Sequence, residues 1–356
     1  MSSKVTWKQK CSFILLFATL LTSLSGCSGE IQANTKDSRV SKNNRLDLVK
    51  QRGYLICGVS GEIPGFSFVD FDGKYAGIDV DLCRAVASAL FDDPKRVEFR
   101  ELNTEDRFTA LELGKIDLLS RNTTQTLSRD TDGCLEFTPP IFYDAQGIMV
   151  HKNSGIEKID DLAGKSICVA ENTTSYDNLN DYMTREKIEY TPVLASDKEF
   201  LFNSYEHGTC QAITRDISQL VARKILLANS KDRQILSQRI AQEPLAPAVM
   251  YEDSQWFDVI KWVTFALIQA EELEIDSTNL NLHKNSQDLE VRNFLGKESE
   301  LGSQMGLSDD FTMRIIKHVG NYQEIYNRNI GQPFGLKRGQ NALWQDGGLM
   351  YSPPFN

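Results

Sequence analysis

Residues 120–130, "SRNTTQTLSRD", place Thr123, Thr124, Thr126 and Ser128 directly before Arg129. Hydroxyl donors at that density beside a guanidinium suit a small anion. Arg129 can offer two parallel N–H groups to one carboxylate, and Thr124 can add a hydroxyl. The same stretch also reads as a hydroxyl-rich turn in which Arg129 pairs with Asp130 or Asp132. A second hydroxyl pair, Thr173 and Thr174 in "ENTTSYD", falls where a helix should begin. Free backbone N–H groups there attract an anion; a plain N-cap by Thr173 or Thr174 also accounts for the pair and is compatible with binding. In "AITRDISQL", Asp216 can hold an ammonium or can cap a helix starting at Ile217. Arg129 for a carboxylate and Asp216 for an ammonium together describe a site for a zwitterion.

These residues need elements that bring them together. "YLICGV" (54–59) reads as a buried strand, "DVDLCRAVASAL" (79–90) as a helix with Asp79 as a possible cap, and "VEFREL" (97–102) as a strand. A helix over 105–115, with Phe108, Leu111 and Leu113 inward, and a strand over 116–120 follow. The rhythm restarts with strands at 166–170, 189–194 and 210–214 and helices at 172–187 and 197–208. Strand–helix alternation of this kind predicts α/β architecture with parallel crossovers. Both anion candidates then follow strands, at the sheet edge where α/β proteins bind ligands. "FYDAQGIMV" (142–150) and "EPLAPAVMY" (243–251) read as extended connections flanking the second unit, the latter restricted by Pro244 and Pro247. From Tyr251 a long amphipathic helix, "SQWFDVIKWVTFALIQAEEL", packs back on the first unit.

The chain of 356 residues is long enough for two domains. Lys4, Lys8 and Lys10 precede the apolar run "CSFILLFATLLTSL", which ends in "LSGC" at Cys27. This predicts a lipoprotein signal over 1–26, cleaved before a lipid-modified Cys27. Residues 27–45 then form a polar, flexible tether, and the membrane is reached through the lipid alone. A net charge of −10 argues against nucleic acid as a partner. Outside the cytoplasm thiols pair, so Cys57–Cys83 and Cys168–Cys210 are expected as disulfides, with Cys134 left over. No metal site is expected: there is no CxxC, His151, His207, His283 and His318 are scattered, and Asp70, Asp72, Asp79 and Asp81 lack EF-hand spacing.

Several stretches together carry a resemblance. They are "FDGKYAGIDVDLCRAVA", "RFTALELGKIDLLSRNTTQTLSRD", "EPLAPAV", "QWFDVIKWVTFALIQAEE", "VGNYQEIYNRNIG" and "NALWQDGGLMYSPP". The chain resembles the periplasmic amino-acid-binding proteins of ABC importers, and within them the general L-amino-acid-binding branch. The resemblance implies a two-lobed Venus-flytrap fold of the type II binding-protein class, with a hinge of two crossover strands. Lobe I would comprise 46–143 and 249–356, and lobe II 144–248. It implies that Arg129 clamps the ligand α-carboxylate with Thr124 and the Asn122 region, and that Thr174, next to Thr173, adds to this from the second lobe. It implies Asp216 for the α-ammonium and Phe66 as an aromatic wall. No cofactor is implied; the partner is an inner-membrane ABC permease and the protein is a monomer in the periplasm or cell envelope. Asn172, Gln125, Arg215 and Cys134 depart from the branch pattern.

Two other readings compete. The same scaffold carries dehydratases of prephenate or arogenate, for which Glu171 is the candidate acid. A sensor that docks a receptor would need the same cleft. The chain has no GxSxG, P-loop or HExxH motif.

Overall fold

A computed structural model describes residues 44–356 apart from Phe71, Gly133, Cys134, Ala228 and Ser299. The signal, the tether, Cys27 and Cys134 therefore lie outside the described residues. The strands are β1 (Leu55–Val59), β2 (Glu62–Ile63), β3 (Ser67–Val69), β4 (Tyr75–Ala76), β5 (Val97–Glu101), β6 (Leu118–Leu119) and β7 (Leu135–Phe137). They continue with β8 (Phe142–His151), β9 (Ser166–Ala170), β10 (Thr191–Ala195), β11 (Ala212–Asp216), β12 (Arg233–Ile235), β13 (Ala241–Leu245) and β14 (Ala248–Met250). The helices nearest the site are α1 (Arg45–Arg52), α2 (Ile78–Phe91), α3 (Asp106–Glu112), α4 (Leu127–Asp132), α5 (Thr174–Glu186), α6 (Lys198–Glu206), α7 (Ile217–Leu226) and α8 (Ser254–Glu272).

The alternation seen in the sequence builds two mixed sheets. The first has the order β5-β1-β6-β14-β7, parallel through β5, β1 and β6, with β14 antiparallel to its neighbours. The second runs β10-β9-β11-β8-β12, with β13 also paired to β8. Each sheet has its own core. Val59, Val80, Leu82 and Val86 pack with Trp256, Val259, Ile260 and Ile315 around the first; Ile148, Val150, Ile167, Val169 and Leu179 pack around the second. Burying such side chains contributes about 1.5–3 kcal/mol each, enough to make each lobe a rigid wall.

Two strands join the lobes. In the β8–β13 ladder Phe142 faces Leu245, Asp144 faces Glu243 and Gln146 faces Ala241. Phe142 and Leu245 belong to the first core, while Ile148 and Val150, further along β8, belong to the second. The expected single extended run over 243–251 is in fact broken after Leu245. β13 serves the second sheet and β14 the first, because Pro247 supplies no N–H to continue one ladder. The segment before α4 is docked on β13: the Gln125 N–H donates to the Pro244 carbonyl and the Ala246 N–H to the Thr123 carbonyl, both at 2.9 Å.

Local chemistry corrects two expectations. Asp79 does not cap α2; Gly77 takes that position at φ +127°, and a Cβ there would lie 2.0 Å from the Phe66 carbonyl oxygen. Leu113 is not inward; it ends α3 and is exposed. The disulfides Cys57–Cys83 and Cys168–Cys210 are both present, each between a strand and its neighbouring structure in one lobe. Closing a loop of this size typically contributes about 3 kcal/mol. Replacing Cys168 and Cys210 together by serine is therefore expected to lower the unfolding free energy by about 3 kcal/mol in urea titration; an unchanged midpoint would contradict it.

Candidate functional site

The cleft between the lobes encloses about 400 Å³ up to its mouth, and Arg107, Arg121, Asn122, Thr124, Arg129, Thr173, Thr174, Arg215, Asp216 and Gln219 line it with Ile63, Thr104 and Ser175. Six of the expected ligand residues meet here. Phe66 does not. It is 1% exposed, sits in the first core and packs edge-on against Phe142 at 5.0 Å. Ile63, three residues earlier on β2, lines the cleft in its place. An apolar residue next to a glycine turn carries no signal that tells core from wall.

Arg129 is held ready rather than paired. Its Nη1 donates to the Thr124 carbonyl at 2.6 Å, its backbone N–H to Thr126 Oγ1 at 3.2 Å, and its guanidinium lies 5.5 Å from the Phe108 ring centre. Asp130 instead accepts from the Phe137 N–H. Phe108, foreseen only as an inward helix residue, thus orients the clamp. Thr173 is the N-cap of α5, its hydroxyl accepting from the Tyr176 N–H, so the capping reading holds for it. Thr174 is left to face Thr124 across the cleft, with their hydroxyl oxygens 3.5 Å apart.

Asp216 makes no side-chain cap on α7, although its backbone occupies the N-cap position. Its Oδ2 accepts from Gln219 Nε2 at 2.8 Å, and the same amide nitrogen donates to Asn122 Oδ1 at 2.6 Å in the other lobe. Asn122 adopts φ +46°, a left-handed conformation that asparagine tolerates. Asp79 fixes it: the buried carboxylate accepts from the Asn122 N–H at 2.8 Å and from Ser120 Oγ at 3.1 Å. Burial pushes Asp79 up to about 7, with those hydrogen bonds and Arg121 pulling the other way.

Glu243 was not foreseen, because "EPLAP" reads only as an extended linker. Its carboxylate accepts from Thr124 Oγ1, from Thr174 Oγ1 at 3.2 Å and from Asn178 Nδ2 at 3.0 Å. The β8–β13 and β8–β11 registers put Glu243, Asp144 and Asp216 on one face of three adjacent strands. Burial, then the Asp216 charge, raise both Glu243 and Asp144 to about 7. Burial raises Asp216 too, against the pull of Arg215 and Gln219. Three carboxylates on a buried face favour a cation, which an ammonium supplies.

The opposite charge is equally concentrated. Arg107, Arg121 and Arg215 are 5%, 3% and 7% exposed. Burial lowers the pKa of each, Arg121 to about 10. Arg107 Nε, Arg215 Nη1 and Asn122 Nδ2 are buried without a hydrogen-bond partner. Buried donors in this state cost free energy until an acceptor reaches them. The arrangement can therefore bind a small, doubly charged polar molecule. Glu171, the candidate acid of the enzyme reading, is not among the cleft residues.

Comparison with known proteins agrees with this chemistry. Residues 55–332 match the model of the bacterial extracellular solute-binding proteins, family 3. The chain belongs to that family. This solute-binding protein is 44% identical over 313 residues to the general L-amino acid-binding periplasmic protein AapJ of Rhizobium johnstonii, covering 87% of this chain and 92% of the relative. It is 42% identical to the glutamate/glutamine/aspartate/asparagine-binding protein BztA of Rhodobacter capsulatus, covering 87% and 93%. A periplasmic binding protein from Brucella ovis, solved with glutathione bound, superposes with a TM-score of 0.85 at 43% identity, covering 88% of this chain and 99% of that one. The fold is thus the type II periplasmic binding-protein fold. Its relatives are solute-binding components of amino-acid ABC transporters, not enzymes, and the family places the protein in the periplasm. No helix among the described residues is long and apolar enough to cross a membrane.

The carboxylate face fixes the sign of a pH effect. Glu243 and Asp144 hold protons in the fold up to about 7, whereas an unfolded chain releases them near pH 4. Stability without ligand should therefore fall as pH rises from about 5 to about 7, by about 1 kcal/mol per unit for each group. Thermal melts across that range should show the fall, and Glu243→Gln should make it shallower by one group's share, with Asp144 and Asp79 keeping the rest; an equal slope in the variant would rule out Glu243 as a source.

Proposed function

We propose that this solute-binding protein captures an L-amino acid as its zwitterion and delivers it to an ABC permease in the inner membrane. Arg129 takes the α-carboxylate with the helix start at Thr173, and the hydroxyls of Thr124 and Thr174 turn from Glu243 to the ligand as it binds. Asp216 takes the α-ammonium, with Asn122 and Gln219 holding its geometry. The observation that carries this reading is that Asp216 lines the cleft without a side-chain cap on its helix, while Arg129 lines the same cleft without a carboxylate partner among the described residues. The amino-acid-binding relatives support the choice of ligand.

The lobes are read as 46–143 with 249–356, and 144–248, with β8 and β13 as the hinge. Each lobe supplies part of the site, so closure and binding are one equilibrium. The protein acts as a monomer, tethered by 27–45 to a lipid on Cys27.

Calorimetry should show that Arg129→Met and Asp216→Asn each weaken amino-acid binding by about 30-fold or more, the worth of a buried charge-assisted hydrogen bond with its partner left unpaired. Unchanged affinity in either variant would contradict the assigned role. Cys27→Ser should move the protein from the membrane to the soluble periplasmic fraction; retention on the membrane would remove the lipid anchor from the reading.

A further inference from the structure

A zwitterion needs one guanidinium at its carboxylate, yet the cleft holds four. Arg129 is the clamp, and Arg107 lies close enough to it for the two charges to oppose each other. Arg121 and Arg215 are a separate pair. Arg121 follows β6 in the first lobe; Arg215 lies on β11 in the second, beside Asp216. Arg121 is fixed by Nε donating to the Leu102 carbonyl at 2.7 Å and Nη2 to Thr104 Oγ1 at 3.4 Å. Arg215 is fixed by Nε donating to Gln219 Oε1 at 2.9 Å, and its Nη1 is buried with no partner.

We propose that Arg121 and Arg215 form a second anion subsite, which takes a second carboxylate on the amino-acid ligand. This rests on the amino-acid reading of the cleft and adds the class of ligand. The partners already given to the two guanidinia are a carbonyl, a hydroxyl and an amide oxygen, all neutral. Two buried guanidinia lining one cleft from opposite lobes, one of them with a donor that has no hydrogen-bond partner, call for an anion. The neighbouring acids leave room for one: Asp216 is committed to Gln219 and the ligand ammonium, Asp79 to Ser120 and Asn122, and Glu199 to Arg223, while Glu62 attracts both guanidinia from an exposed position where solvent screens it. A carboxylate can accept from both guanidinia at once, whereas a side-chain amide brings no charge.

The second carboxylate has two possible sources. It can belong to the side chain of an acidic amino acid, or to the far end of a γ-linked peptide. Beyond Arg121 the cleft continues into a wider polar opening of about 840 Å³ up to its mouth, lined by Ser60, Asn103, Thr104 and Ser196 with four carboxylates, Glu62, Glu101, Glu105 and Asp197. That wall is acidic, so a carboxylate is expected to stop at the arginines rather than enter the opening. The side-chain source is the one favoured.

The test uses the mature protein, unfolded and refolded to remove bound solute, and titrates L-glutamate, L-glutamine and γ-glutamylglycine by calorimetry. Glutamate is expected to bind about 10-fold or more tighter than glutamine. Arg215→Gln and Arg121→Gln should each bring that ratio toward one, glutamate losing more affinity than glutamine. Circular dichroism melts establish that each variant is folded, and should one fail, the native ratio and the other variant decide. Glutamine equal to or tighter than glutamate in the native protein, or a ratio unchanged in folded variants, overturns the subsite while leaving the amino-acid site standing. Binding of none of the three overturns both. Tighter γ-glutamylglycine than glutamate keeps the subsite and assigns the peptide source.

Discussion

One carboxylate joins both walls of the cleft. Glu243, on a strand that links the lobes, accepts the hydroxyl hydrogens of Thr124 from one side and Thr174 from the other, with Asn178 completing its shell. The backbone of the same strand holds the Thr123–Gln125 segment through two hydrogen bonds. The two hydroxyls that face each other across the cleft are therefore positioned by the linking strand, not by the loops that carry them. A linking strand that also sets the donor geometry makes a change in lobe angle and a change in the site the same event.

The charge pattern shows how a water-filled groove becomes selective. Carboxylates gather on the sheet face formed by β8, β11 and β13, and guanidinia gather around it from both lobes. Each set is costly alone, because burial disfavours the charged form of every member. They are kept apart enough that no ion pair joins Arg107, Arg121, Arg129 or Arg215 to a carboxylate among the described residues. A ligand bearing both signs relieves both costs, and water replaces it poorly. Gln219 sits at the seam, donating one amide group to Asn122 and Asp216 and accepting from Arg215. It lets neighbouring charges of opposite sign share a boundary without collapsing onto each other.

Much of this was legible in the order of residues. Strand–helix alternation is a local pattern, and β1, α2, β5 and β9 fall where it puts them. The two disulfides followed from placing each cysteine on an element next to its partner. Arg129 and Asp216 stood out because a charged residue directly after a strand has few structural duties. Glu243, Gln219, Arg107 and Asp79 did not stand out. Their roles depend on contacts between segments 41 to 119 residues apart, and nothing local distinguishes Asp79 from a helix cap or Glu243 from a solvated linker acid. Phe66 failed for the complementary reason: a core position and a cleft wall share the same apolar signature, and only the packing of Phe142 decides between them.

The two disulfides have a consequence beyond stability. Cys57–Cys83 ties β1 to α2 within the first lobe, and Cys168–Cys210 ties β9 to the start of β11 within the second. Neither bond spans β8 and β13. The covalent crosslinks therefore behave as struts inside two separate frames, with the axle between them left uncrossed. Solute capture and oxidative maturation are mechanically independent: thiol chemistry governs how firmly each frame holds together, and does not enter the free energy by which the frames turn toward each other.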